Sequence, residues 1–112
     1  MDRELRRGTL EMLLLKLLEE RDRYGYELIT ALDERTDGAF AIADGTLYPV
    51  LYRLEEAGRV EPYWETRDRG VPRKYYRITD EGREELGRLR EVWRGYVSAV
   101  ERLMESEEGR ES

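Results

Sequence analysis

The sequence contains neither cysteine nor histidine. Without cysteine the chain can form no disulfide, thiol nucleophile or cysteine-ligated zinc site, and without histidine it lacks the Ser-His-Asp triad and the commonest general base. It also lacks any apolar run near the about 18 residues that a membrane-spanning helix requires. No spacing of its carboxylates suggests a metal site. We therefore expect a cytoplasmic protein that is not an enzyme, needs no cofactor and does not enter a membrane.

Positive charge is concentrated in one short segment. The 112 residues, enough for one modest core, include 20 basic and 26 acidic side chains, and the net charge of −6 alone argues against a nucleic-acid partner. Residues 66–77, however, contain five basic residues and one acidic residue, so this segment carries +4 and the other hundred residues carry −10. A local basic patch on an acidic body is typical of a small protein that contacts DNA through a limited surface.

Apolar spacing predicts four helices. The first contains leucines three and four residues apart, which form a broad apolar face. Suitable capping residues precede the first, third and fourth helices, and glycine follows two of the four. The predicted helices span residues 9–20, about 24–35, from Asp44 or Thr46 to near Gly58, and about 80–105 after Thr79 as N-cap.

Two extended segments follow the third helix. Residues 59–66 and 73–78 are rich in Val, Tyr, Trp and Ile, and the turn-forming Gly70 and Pro72 lie between them. These segments predict a β-hairpin with a basic tip. Phe40-Ala41-Ile42 is long enough for no more than a small edge strand.

Three short helices, a hairpin and a long closing helix predict a mainly α fold of the winged helix-turn-helix class. In that class the third helix enters the DNA major groove and the hairpin, or wing, lies along the neighbouring backbone. We expect residues 1–78 to form the winged helix. Residues 79–112 then add a long dimerisation helix and a polar tail to the same structural unit.

The outer face of the third helix is the first candidate DNA contact. Its leucines must face the core, which leaves four polar side chains pointing outward to donate to phosphates or to read base edges. The alternative is that the tyrosines among them only cover the rim of the core. The candidate residues are Thr46, Tyr48, Tyr52 and Arg53.

The basic hairpin is the second candidate. If Ile78 points into the core, strand alternation sends Tyr76 and Lys74 the same way. Side chains of the opposite register point outward, and the tip is free to reach a minor groove. The alternative is a solvated, charged turn. The candidate DNA-binding residues here are Arg69 at the tip, the outward Arg73 and Arg77 beside Tyr75, and Lys74.

The last helix carries a heptad stripe of apolar residues that alternate spacings of three and four. A long helix with such a stripe and only small neighbours needs a partner to cover it, and a two-fold pair matches a palindromic operator. The alternative is a monomer whose last helix folds back onto the first. The candidate dimer-interface residues are Leu86, Leu89, Trp93, Tyr96, Val100 and Leu103.

Three motifs in the sequence are characteristic of one known family. They are Tyr24-Gly25-Tyr26-Glu27-Leu28, then Gly45-Thr46-Leu47-Tyr48-Pro49 followed by Leu54-Glu55-Glu56-Ala57-Gly58, and Pro72-Arg73-Lys74-Tyr75-Tyr76-Arg77-Ile78-Thr79. Over about residues 9–104 the chain resembles the PadR-like transcriptional regulators, and its short C-terminus is similar to their single-helix branch. The resemblance implies a dimeric winged-helix DNA-binding protein, usually a repressor. It places Thr46 and Tyr48 on the recognition helix, Arg73 and Lys74 on the wing, and the stripe from Leu86 to Leu103 in the dimer contact.

The same resemblance suggests an effector site. In the multidrug-binding subgroup of that family, a tryptophan at the matching place on the last helix stacks planar cationic compounds, and Trp93 is similar in position. Together with Met12 and Leu15 from the first helix, it would bind a small planar aromatic effector. The alternative is that Trp93 is an ordinary interface anchor, as tryptophan often is.

Two functions are therefore open. The first is a homodimeric transcriptional repressor that binds a palindromic operator in double-stranded DNA through its third helix and basic wing. The second is a winged-helix protein-interaction module that docks another protein with its last helix and does not bind DNA. The acidic net charge is the feature that favours the second.

Overall fold

The computed structural model describes residues 9–67 and 69–108. Within these ranges the chain forms four α-helices and a three-stranded antiparallel sheet, as the predicted winged-helix fold requires, and the helices lie close to their predicted bounds. Asp68 in the predicted turn and the end of the predicted polar tail lie outside the described residues. The elements are α1 (Leu10–Glu20), β1 (Arg23–Tyr24), α2 (Gly25–Arg35), α3 (Asp44–Glu56), β2 (Val60–Glu65), β3 (Arg73–Ile78) and α4 (Asp80–Glu105).

A leucine cluster holds the first three helices together. Leu14 of α1, Leu28 of α2 and Leu51 of α3 are all completely buried. Full burial of one leucine side chain contributes about 2 kcal/mol relative to leaving it in water. The cluster therefore fixes α3 against α1 and α2 and decides which of its faces remains outside.

The sheet closes one side of this core. Its strand order is β1–β3–β2, and both pairs are antiparallel. Ile78 pairs with Val60 and Tyr76 pairs with Pro62, and Ile78, Val60 and Tyr76 are buried. The predicted inward direction of Tyr76 and Ile78 is therefore confirmed, and Lys74, on the same face, is half-buried.

Tyr75 points to the outer face of the hairpin, as strand alternation predicts. It lies on that face but is only 4% exposed. The Tyr24 ring meets it edge-on with centroids 5.4 Å apart, the Tyr63 ring stacks at 5.8 Å, and the Arg67 guanidinium carbon lies 3.9 Å above its centroid. Alternation gave the direction of the side chain correctly, but contacts from β1, β2 and the turn bury it.

Phe40–Ile42, long enough for no more than a small edge strand, forms no strand: Thr36–Phe40 forms turns, and the third strand of the sheet is Arg23–Tyr24. Local hydrogen bonds occupy the backbone before Phe40: the Ala39 N–H donates to Thr36 O at 3.0 Å, and the Phe40 N–H donates to Thr36 Oγ1 at 3.0 Å. Phe40 and Ile42 instead bury their side chains in the core.

The base of α4 is fixed tightly to the winged helix. As predicted, Thr79 caps α4: its Oγ1 accepts from the Gly82 N–H at 3.0 Å and donates to Gly58 O at 2.7 Å. A Cβ on Gly82 would lie 2.1 Å from Arg59 O, so only glycine allows this approach. Further along, α4 has 26 residues, a length of about 39 Å, and Gly82 and Leu86 are its only buried residues among those described.

Two tyrosine hydroxyls of the sheet have opposite surroundings. Tyr76 is fully buried, and its hydroxyl has no hydrogen-bond partner among the described residues. Tyr63 Oη donates to Asp22 Oδ2 at 2.6 Å. Burial raises the pKa of both phenols to about 12, and for Tyr63 the nearby Asp22 carboxylate adds to this rise. Both hydroxyls are therefore neutral at pH 7.

This difference predicts opposite effects of removing each hydroxyl. We expect Tyr76→Phe to leave the free energy of unfolding unchanged or to raise it by about 1 kcal/mol, because a buried hydroxyl without a partner is removed. Tyr63→Phe should lower it by about 1–2 kcal/mol, because the hydrogen bond to a carboxylate is lost. Urea unfolding at pH 7 measures both, and a larger loss in Tyr76→Phe than in Tyr63→Phe would contradict the assignment.

Candidate nucleic-acid interface

The polar face of α3 is open to solvent. Thr46, Tyr52 and Arg53 are exposed, and Tyr52 is 55% exposed. Arg53 Nε lies 3.6 Å from a Glu11 carboxylate oxygen, but both groups are accessible, and an ion pair of this kind is weak in water. Three of the four residues predicted on this face therefore have side chains that a partner can reach.

Tyr48 differs from its neighbours because it is half-buried against the start of α2. A Cβ on Gly25 would lie 2.2 Å from the Tyr48 hydroxyl, so the missing side chain of Gly25 makes the space that this ring occupies. Burial raises the pKa of Tyr48, which keeps its hydroxyl neutral and able to donate. Tyr48 is thus a positioned rather than a mobile side chain, and the role of Gly25 was not anticipated from the sequence.

Three cations of the wing are available to a partner. Arg69 is exposed at the turn with a φ of 58°, and Arg73 is exposed with its guanidinium carbon 4.6 Å from the Tyr24 ring centroid. Lys74 Nζ lies 5.9 Å from the Tyr52 centroid and 5.6 Å from that of Tyr76. None of the three cations forms an ion pair with another residue in the described ranges, which exclude the neighbouring Asp68.

The other two basic residues of the segment are engaged within the sheet. Arg77 Nε lies 3.6 Å from a Glu61 carboxylate oxygen, and its guanidinium carbon is 5.0 Å from the Tyr63 centroid. Arg67 hydrogen-bonds to Glu65 and covers Tyr75. Among the described residues, the positive charge of the segment without an acidic partner is therefore that of Arg69, Arg73 and Lys74. Arg77, predicted as a DNA contact, is exposed, and its ion pair with Glu61 is of the same weak, accessible kind as that of Arg53.

The contact between Lys74 and Tyr52 joins the wing to α3. The two elements are far apart in the sequence, and this contact places a free ammonium beside the exposed face of α3. An anionic partner could meet both elements at once. A protein surface with hydroxyl donors on a helix and cations on a strand can bind phosphate oxygens and base edges.

Trp64 also belongs to this surface, although in the sequence it indicates only a strand. It pairs with Lys74 across β2 and β3 and is 68% exposed. Directly opposite residues of an antiparallel pair point to the same face, so Trp64 shares the face of Lys74. The alternation that placed Lys74 could have identified Trp64 if the register of the hairpin had been worked out.

The predicted dimer-interface residues divide into two groups. Leu86 is buried and Leu89 half-buried within their own chain. The later residues of the stripe are exposed, from 42% for Trp93 and Val100 to 74% for Leu103. The part of the apolar stripe that no other described residue covers therefore runs from Trp93 to Leu103.

The three residues predicted to bind an effector do not share one open surface. Leu15 is completely buried in the core and Met12 is half-buried against it. Trp93 is exposed on α4, where its ring lies 6.0 Å from the Tyr96 ring, between centroids. In this conformation Leu15 is thus not accessible to a ligand.

The described part of the chain contains no helix that is both long and apolar enough to cross a membrane. Nor do its acidic side chains form a group of three or more that is arranged to hold a metal ion.

The helix order, the antiparallel wing and the open face of α3 define a winged-helix protein. Residues 14–88 match the model of the transcriptional regulator PadR-like family, and the chain belongs to that family. An uncharacterized protein from Lysinibacillus sphaericus is 39% identical over 99 residues, which are 88% of this chain and 91% of the relative. The transcriptional regulator YqjI from Escherichia coli is 31% identical over 84 residues, 75% of this chain but only 39% of YqjI.

Solved structures give the same assignment. A PadR family transcriptional regulator from Eggerthella lenta superposes with a TM-score of 0.81 at 40% identity, covering 93% of this chain and 88% of the other. A PadR-like transcriptional regulator from Bacillus cereus superposes with a TM-score of 0.82 at 31% identity, covering 93% and 99%. The sequence and the structure thus agree on the fold and the family.

Proposed function

We propose that this regulator is a homodimeric repressor that binds a palindromic operator in double-stranded DNA, in the cytoplasm, through α3 and the wing. The observation that carries the proposal is the free Lys74 ammonium beside Tyr52, because it joins the cations of the wing to the open face of α3. In a winged helix these two elements meet the major groove and the neighbouring backbone. Membership in a family of transcriptional regulators supports the same partner.

The electrostatics of the chain support a local contact. The net charge is −6, so DNA is repelled by most of the surface. Cations at the wing would then favour the orientation in which the wing faces DNA, which lets a small acidic protein bind DNA with little non-specific affinity. Thr46 and Tyr52 would donate to phosphates or base edges from α3.

The exposed stripe of α4 supports a dimer. Trp93, Tyr96, Val100 and Leu103 leave a continuous apolar surface on a helix that extends beyond the winged helix. A second copy of the chain matches this stripe, because the heptad stripe of one helix can pack against the same stripe of an identical helix around a two-fold axis. The adjacent rings of Trp93 and Tyr96 also form the surface on which a planar aromatic effector would stack. Binding of the effector would change the geometry of the dimer.

Salt dependence of binding tests the proposal. A dimer offers from each subunit three cations that have no ion-pair partner among the described residues, and neutralising about six phosphates predicts a slope near −5 for log K against log salt. We expect this slope when the dimer is titrated with a duplex from the region upstream of its own gene, followed by fluorescence anisotropy. Negligible binding at every salt concentration would contradict the proposal and favour the protein-interaction module, whose supporting observation is the acidic net charge.

A further inference from the structure

The inner face of the wing changes from covered to open along its length. At its base, Ile78 and Val60 face each other and are buried, and Tyr76 follows, also fully buried. The next pair along the same face is Trp64 and Lys74, where the cover ends and the indole is 68% exposed. An indole is among the largest apolar side chains, and this one lies just beyond the end of the core.

The surroundings of Trp64 indicate an anionic partner. Lys74 pairs with it across the strands and extends its ammonium to the Tyr52 ring on α3. The other cations of the wing without an ion-pair partner among the described residues are close by: Arg73 is the first residue of β3, and Arg69 lies in the turn before it. A purely apolar partner would have to desolvate these cations without replacing their water, whereas a polyanion with apolar sugar faces would satisfy both the cations and the indole.

We propose that Trp64 is the apolar anchor of the DNA interface, with its indole packed against the sugar–phosphate backbone of the duplex when the wing binds. This inference rests on the proposed function and adds to it a contact that is independent of charge. The inner face of the wing then uses two kinds of interaction: phosphate neutralisation by Lys74 and burial of the Trp64 ring. Burial of an aromatic anchor removes water from the ion pairs around it, as in other tight interfaces.

The two kinds of contact respond differently to salt. Counterion release depends only on the phosphates neutralised, so loss of an apolar contact lowers affinity without changing the slope of log K against log salt. We expect Trp64→Ala to weaken binding about tenfold and to keep the wild-type slope. Lys74→Gln is the matched variant from the same pair, and it should make the slope shallower by about two for a dimer. Trp64→Phe keeps an apolar ring and should recover most of the affinity that Trp64→Ala loses.

Tryptophan emission gives a second readout. The chain has two tryptophans, Trp64 and Trp93. DNA should change the emission of the wild-type protein, and Trp64→Ala, folded by circular dichroism, should lose that change because only Trp93 on α4 remains. Wild-type binding of DNA with no emission change, or Trp64→Ala binding as tightly as wild type, would overturn the anchor while leaving the proposed function intact. If the wild-type protein binds no DNA at any salt concentration, the proposed function fails and the anchor fails with it.

Discussion

The double variant Arg73→Glu, Lys74→Glu is expected to lose DNA affinity on the order of a thousandfold at about 0.1 M salt. It removes two of the three free cations of each subunit and replaces them with charges that repel phosphate. The remaining Arg69 gives a dimer about two neutralised phosphates, so the slope of log K against log salt should fall from near −5 to near −2. Both positions lie on the wing and not on α4, so sedimentation should show an intact dimer. Undiminished binding would mean that the wing is not the contact surface.

Two arginines on one strand allow the effect of a cation with an ion-pair partner to be compared with that of a cation without one. Arg73 and Arg77 lie on the same face of β3, but only Arg77 has an ion-pair partner, Glu61, among the described residues. Arg73→Gln should therefore make the salt slope shallower by about two for a dimer, whereas Arg77→Gln should leave it unchanged. Equal changes of slope would show that the pair with Glu61 opens when DNA binds and that Arg77 contacts phosphate as well.

The helices and the inward strand residues could be predicted because their signals are local. Leucines at spacings of three and four mark a buried face whatever the helix packs against, and α1 and α3 follow this rule. Thr79 was identifiable as an N-cap because its capping bond reaches only three residues, to Gly82. Strand alternation predicted the direction of Tyr76 because it depends only on neighbouring residues of the same strand.

Features that depend on contacts between distant segments could not be predicted in this way. The strand β1 has only two residues, and pairing with β3, rather than any pattern of its own, makes it a strand. Tyr75 is buried by rings from β1 and β2 and by Arg67, none of which alternation can reveal. The division of the basic segment into free and engaged cations depends on the hairpin register, which brings Glu61 opposite Arg77.

The candidate interface shows the same limit. Sequence composition locates the positive charge but does not show the partners of the five basic residues. In the structure Arg67 and Arg77 contact tyrosine rings of the sheet, and Trp64 lies exposed on the inner face. Net charge in a segment therefore indicates where a contact surface lies, and the side-chain partners decide which residues of the segment belong to it.

Val100→Glu is expected to convert the proposed dimer into a monomer. Val100 lies in the exposed apolar stripe of α4, and a dimer would bury one unpaired carboxylate from each subunit. Such burial costs several kcal/mol, so the dissociation constant of the dimer should rise at least about a hundredfold. Analytical ultracentrifugation over a range of protein concentrations measures it. A wild-type chain that sediments as a monomer, or a Val100→Glu chain that stays dimeric, would contradict the role of the stripe.

Ser98→Glu is the matched control because it adds the same charge to the same turn of α4. Ser98 precedes Val100 by two residues, about 200° around the helix, and is exposed away from the stripe. The dimer should therefore survive in Ser98→Glu.

DNA binding connects the two surfaces of the molecule. A monomeric Val100→Glu chain presents three of these cations instead of six, so its slope of log K against log salt should fall from near −5 to near −3 while the wing itself is unchanged. A wild-type slope in a monomeric chain would show that one subunit alone makes all the phosphate contacts.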